Sequence, residues 1–99
     1  MAKRKIIWSN RARESRYDIL KFYFRRNKTK IYSIKLNKQI NKELQLILKY
    51  PELGIKTDVE GVRGLIFGNF IIFYELNKNV IIVHYVWDSR QNPEKLIIK

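Results

Sequence analysis

The chain has 99 residues, 45% hydrophobic and 30% charged, with 21 Lys and Arg against 9 Asp and Glu and a formal net charge of +12. This is one domain, 1–99, with apolar content enough for a core; with no cysteine and a single histidine, disulfide frameworks and thiolate or His-rich metal sites are excluded, and no cofactor is called for. The charge favours a polyanionic partner (nucleic acid, an acidic protein segment or an anionic membrane surface) over a role in solubility alone.

No stretch approaches the ~20 apolar residues that span a bilayer. The basic start, Met1 to Lys5, is followed only by the short apolar run Ile6-Ile7-Trp8, too little for a secretory signal. A cytoplasmic protein without a membrane partner is expected.

Lys5-Ile6-Ile7-Trp8 reads as a short strand, and Ser9 or Asn10 can cap the helix that follows. The spacing predicts that helix from about Arg11 to Arg26, with Ala12, Tyr17 or Arg16, Ile19, Leu20 and Tyr23 facing the core. Phe22 and Phe24 lie partly off that stripe, which implies cover on more than one side. After Asn27-Lys28-Thr29 a second helix is predicted to run from about Thr29 to Tyr50. Its stripe of Leu36, Ile40, Leu44, Ile47 and Leu48 keeps helical spacing, and Lys35, Lys38, Lys42 and Lys49 form a solvated stripe on another face. Pro51 ends the helix, and Leu53-Gly54 opens a loop reaching to about Gly61. Two helices joined by a short turn make a helical hairpin.

From Val62 the period changes from 3.6 to 2. Arg63 to Phe67, Phe70 to Leu76 and Val80 to Trp87 read as strands, joined by turns at Gly68-Asn69 and Asn77-Lys78-Asn79. Leu96-Ile97-Ile98 adds a short candidate edge strand. The fold class is therefore α+β: an N-terminal strand, a helical hairpin, then a mainly antiparallel sheet of three further strands. Simple alternation puts Val80, Ile82, His84 and Val86 on one face and Ile81, Val83, Tyr85 and Trp87 on the other. Both faces are largely apolar, so the face away from the helices is covered either by another chain or by loops and the C-terminal tail.

The last strand delivers Trp87, Asp88, Arg90, Gln91 and Asn92 to its own end, before Pro93. Arg90 can bind a phosphate or carboxylate bidentately, Trp87 offers a stacking face, and Asp88 is placed to hold Arg90. The plainer alternative is a turn in which Asp88 and Asn92 satisfy local backbone groups. Arg63, at the start of its strand, is a second anion contact beside these residues or an edge charge that discourages sheet-to-sheet pairing. His84, in mid-strand between Val83 and Tyr85, reads as a packed residue with satisfied nitrogens. No nucleophile–base set, phosphate-binding glycine loop or paired carboxylates stand at suggestive spacing.

Three motifs in order carry a family resemblance across essentially the whole chain. They are Pro51-Glu52-Leu53-Gly54 after the long helix, Val62-Arg63-Gly64-Leu65 leading to Phe67-Gly68-Asn69-Phe70-Ile71-Ile72-Phe73-Tyr74, and Val83 through Trp87-Asp88-Ser89-Arg90-Gln91-Asn92-Pro93. Together they resemble the RelE/ParE superfamily of type II toxins. The resemblance implies a plasmid-stabilisation-type toxin that arrests growth and is neutralised by a cognate antitoxin with an acidic or amphipathic segment.

It also implies one of two targets. RelE-like members are ribosome-dependent mRNA endoribonucleases, or mRNA interferases; here Arg90 and Arg63 would be the catalytic residues. ParE-like members bind and poison DNA gyrase without being enzymes. Ribonuclease members usually carry an arginine on the strand that here holds Ile71, so one group for a transition-state phosphorane is missing, which favours the ParE-like branch. Asp88 stands where many ParE-like members have histidine. The target-contact residues on this basis are Trp87, Asp88, Arg90, Asn92 and Arg63. A third class, a non-toxic basic nucleic-acid-binding module, lacks a groove-entering helix motif.

Overall fold

The computed structural model describes residues 4–90; the expectations for Gln91, Asn92, Pro93 and the edge strand at Leu96-Ile97-Ile98 lie outside the described residues. The elements run β1 (Lys5–Trp8), α1 (Asn10–Asn27), α2 (Ile31–Lys49), β2 (Ile55–Lys56), β3 (Val62–Phe67), β4 (Phe70–Asn77) and β5 (Val80–Asp88). They form an α+β fold in which one five-stranded sheet, ordered β1-β5-β4-β3-β2, carries the helices on one face. β1 lies parallel to β5, and every other neighbour pair is antiparallel.

Helix α1 begins where Ser9 caps it, accepting a hydrogen bond from the Ala12 backbone N–H at 3.0 Å. It ends at Lys28, whose left-handed backbone (φ 56°) sends its N–H to the Phe24 carbonyl at 2.9 Å. The predicted α2 stripe is buried through Leu36, Ile40, Leu44 and Ile47, and the four stripe lysines are exposed. The hairpin is antiparallel: Ser33 Oγ donates to the Leu20 carbonyl at 2.8 Å and Tyr23 packs on Tyr32 with ring centroids 4.9 Å apart. On α1 the buried set is Ala12, Ser15, Ile19 and Tyr23, with Leu20 partly buried against the core as expected; Ser15 is added and Tyr17 removed. Tyr17 is 62% exposed, and Phe22 and Phe24 are exposed too, so this chain covers α1 on one side only.

Ser15 shows why a polar residue belongs in that set. β1 stops opposite Val83, which leaves the next stretch of β5 without a neighbouring strand on that side. Ser9 takes over, its N–H donating to the Val83 carbonyl at 3.0 Å and its Oγ to the His84 carbonyl at 3.2 Å. Ser15 Oγ then accepts from the Val86 N–H at 3.0 Å while donating to the Ala12 carbonyl at 2.9 Å. Two serine side chains thus satisfy backbone groups that a longer β1 would otherwise pair.

Three further features of the sheet depart from expectation. A two-residue strand, β2, pairs Ile55 with Gly64 and Lys56 with Arg63 inside the segment expected to be loop. The β4–β5 turn is two residues long, because Asn77 pairs with Val80, and the residue with positive φ is Lys78 (57°) rather than an asparagine. Finally, β5 is bulged: Tyr85 pairs with Phe73 but Val83 pairs with Tyr74, leaving His84 as the extra residue. The bulge shifts the alternation by one. Ile81 and Val83 face the helices as a simple strand would have them, but so do Val86 and Asp88, while Tyr85 and Trp87 face away. His84 itself sits 2.6 Å (Nε2 to Oε1) from Glu75, its nitrogen satisfied across the sheet as the sequence led us to expect.

The core lies between the hairpin and this inner face, built from Ile40, Ile47, Ile72, Tyr74, Ile81, Val83 and Val86 as its largest fully buried side chains. The outer face is only partly closed. Phe73 is buried over Gly64, whose missing Cβ would come within 3.3 Å of the ring, but Ile7 and Ile66 are 50% and 56% exposed.

Candidate functional site

Asp88 is the last residue of β5 and, because of the bulge, points inward. It is 2% exposed, a burial rare for a carboxylate unless it is fully partnered. The Tyr23 hydroxyl donates to Oδ2 at 2.5 Å, and the Arg90 backbone N–H donates to Oδ1 at 2.9 Å. The Arg90 Nε lies 3.7 Å from Oδ1, so the chain turns back and places its cation over its own buried acid. The guanidinium lies over two rings, 5.1 Å from the Tyr23 centroid and 5.5 Å from that of Phe70, and donates to the Tyr32 hydroxyl at 3.3 Å.

The electrostatics follow from these contacts. Burial, then the hydrogen bond to Asp88 and its charge, push the Tyr23 hydroxyl well above the usual phenol range, so it stays a proton donor. Arg90 is held more firmly protonated than usual, first by its bond to Tyr32. Asp88 is closed to any substrate, so its role is to position. Arg90, with its side chain 42% exposed, is the group that reaches the surface. Next to it lies a cleft of about 350 Å³ floored by Leu36, Phe67 and Phe70 and rimmed by Tyr32, Lys35 and Gln39. A fixed cation beside an apolar recess suits a contact surface.

Of the residues singled out in the sequence, the structure brings Asp88 and Arg90 together. Trp87 lies on the other face of the sheet, opposite Ile71, and Asn92 is outside the described residues. Arg63 does not stand beside them. It pairs with Tyr74, four residues along β4 from the Phe70 that faces Asp88, about 13 Å at ~3.3 Å per residue. Two successive antiparallel pairings run β3 and β5 in the same direction, so the start of β3 lies away from the end of β5.

Arg63 instead clamps the turn after α2, its Nη1 donating to the Gly54 carbonyl at 2.8 Å and the Glu52 carbonyl at 3.3 Å. The Tyr74 hydroxyl joins the same turn, donating to the Pro51 carbonyl at 2.7 Å and accepting from the Gly54 N–H at 2.8 Å. Gly54 is required there, since a Cβ would fall 2.8 Å from that hydroxyl. Two of the motifs behind the resemblance are therefore one joint.

Sequence reasoning missed Tyr23, Tyr32 and Phe70 as parts of the site. Tyr23 was recognised only as a core residue, and nothing local links it to an acid 65 positions away.

A model of the ParE toxin of the type II toxin–antitoxin system parDE matches residues 6–93. Among proteins of curated function, none matches the sequence. Solved structures do resemble the fold. The chromosomal ParDE toxin–antitoxin system from P. aeruginosa matches with a TM-score of 0.76 at 16% identity, over 87% of this chain and 96% of the other. The toxin–antitoxin complex RelBE2 from Mycobacterium tuberculosis matches with a TM-score of 0.63 at 10% identity, over 88% and 99%. No helix among the described residues is long and apolar enough to cross a membrane.

Proposed function

Because the chain belongs to the ParE toxin family of type II toxin–antitoxin systems, we propose that it arrests growth in the cytoplasm by binding DNA gyrase, and that a cognate antitoxin neutralises it. The observation that carries the choice of a binding mechanism is the separation of Arg90 from Arg63. A ribonuclease built on these two arginines would need both at one phosphate, where each could stabilise developing charge. They lie at opposite ends of the sheet, and Arg63 is engaged in the turn after α2. Arg90, backed by Asp88 and flanked by the Leu36–Phe67–Phe70 cleft, has the form of a target contact. The positive charge and the half-open outer sheet face, with Ile7 and Ile66 exposed, support an acidic, partly apolar protein partner.

The test is to add the purified protein to a gyrase supercoiling reaction and, separately, to translating ribosomes. Loss of supercoiling with intact mRNA is the expected result. Cleavage of mRNA in the ribosomal A site would replace the gyrase mechanism with the RelE-like one. In growth assays Arg90→Ala weakens arrest by about tenfold or more at equal folded protein, as expected for loss of a charge-assisted contact. Undiminished arrest would remove Arg90 from the contact surface.

A further inference from the structure

A second arginine differs from Arg90 in one respect: it has no counter-charge. Arg16 lies on the side of α1 that meets α2 and the edge strand β1. Its guanidinium stacks 4.8 Å over the Trp8 ring, and its Nε donates to Asn37 Oδ1 at 2.9 Å, with Nη2 bonded to the same oxygen. It is half-buried, and burial lowers its hold on its proton. No carboxylate among the described residues pairs with it; the ion pairs there are His84–Glu75 and Arg90–Asp88. The acids nearest along the helix, Glu14 and Asp18, are two residues away on either side and so on different faces. A recess of about 380 Å³ opens beside the guanidinium, walled by Trp8, Tyr17 and Leu20 with Arg13 at its rim.

A partly desolvated cation held by one ring and one neutral amide gives up hydration that no carboxylate among the described residues replaces. We propose that this recess takes a carboxylate side chain, flanked by aliphatic residues, from the acidic partner polypeptide that neutralises the toxin. This rests on the toxin reading given above. Asn37 fixes the guanidinium at Nε and Nη2 and leaves Nη1 and the second Nη2 hydrogen, an edge that fits a carboxylate bidentately. Trp8, Tyr17 and Leu20 give the flanking aliphatic groups an apolar wall. A nucleic acid suits the recess less well, because the Trp8 face that would stack a base is already covered by Arg16.

The probe is a short blocked peptide with two leucines between two glutamates, titrated at pH 7 into the full chain while the Arg16 Nε–Hε and Trp8 indole resonances are followed by NMR. Both resonances shift, and the same peptide with glutamines binds at least about tenfold more weakly. Arg16→Gln abolishes the Trp8 response, and Arg16→Lys, which keeps the charge but not the fork, weakens it about tenfold. Should Arg16→Gln fail to fold, the lysine variant alone decides.

Equal binding of the glutamine peptide, an unchanged Trp8 response in the variants, or an equal Arg16 shift from a uridine oligonucleotide would each overturn the proposal. A chain that arrests growth but ignores the peptide overturns only the recess. One that binds the peptide but never arrests growth overturns only the toxin reading.

Discussion

Arg90 and Arg16 are both guanidiniums laid over aromatic rings, yet of the two only Arg90 meets a carboxylate among the described residues. At the end of β5 the buried Asp88, the Tyr23 hydroxyl and Arg90 complete one another, so the cluster is part of what holds the last strand to the hairpin. At the junction of β1 with the helices, Arg16 has a ring and an amide and, among the described residues, nothing negative. The difference teaches that a striking polar motif at a strand end can be largely self-satisfied. A residue buried in an unremarkable helix stretch can be the one left incomplete.

The sharpest way to break this comparison is to remove the shared acid. Asp88→Ala strands the Tyr23 hydroxyl and uncovers Arg90, and is expected to cost about 3 kcal/mol, lowering Tm by more than ~10 °C for a domain of this size. A melt within a few degrees of wild type would show the cluster to be ornamental.

Tyr23→Phe removes one donor from a buried carboxylate and should cost about 1–2 kcal/mol. It also sharpens the picture through pH. Tyr23 keeps its proton to higher pH in the fold than in the unfolded chain, where a phenol titrates near ~10. Its contribution is therefore fully present below pH ~10 and is lost as pH rises above that value towards the raised native one. Melts between pH 8 and 11 should show a shallower alkaline decline in Tyr23→Phe. A residual slope is expected from Tyr74, whose hydroxyl burial also raises.

Arg90→Ala, on the exposed side of the same cluster, should cost only about 1 kcal/mol in denaturant unfolding. The smallest effect belongs to the other region. Arg16→Gln should change stability by no more than about 0.5 kcal/mol, because relief of desolvation offsets the lost ring contact. If it proved as costly as Asp88→Ala, the two arginines would not differ in the way proposed.

Much of the architecture was legible from periodicity. The α2 stripe and the switch to period 2 after Val62 placed the hairpin and three strands within a residue or two, because burial of one helix face is written directly into spacing. What was not legible had non-local causes. Simple alternation puts Val86 with the outward set, and the His84 bulge reverses it; in a strand apolar on both faces, the pattern of apolar residues does not reveal the slip. One of the two readings of Arg63 set it beside Arg90, although two successive tight turns run β3 and β5 in the same direction and so place it away from the end of β5; β2 is too short to show a period. Ser15 is absent from the predicted inward set, since its partner, the Val86 N–H, is 71 positions away. Within the site, Asp88 and Arg90 were found because they are adjacent, whereas Tyr23 required the fold.

The parallel pairing of β1 with β5 carries a consequence for when the molecule becomes itself. Lys5 through Trp8 find their partners only in Val80 through Val83, and Tyr23 finds its acid only at Asp88. Contacts this far apart in sequence form late and slowly. During synthesis the first strand must wait, beside a finished helical hairpin, until the last one has left the ribosome. A chain interrupted between Lys49 and Val80 holds the sequence of both helices but neither its closing strand pair nor Arg90 on its cradle. Such a fragment lacks the contact surface proposed for Arg90, which forms only once Val80 through Arg90 have joined the sheet.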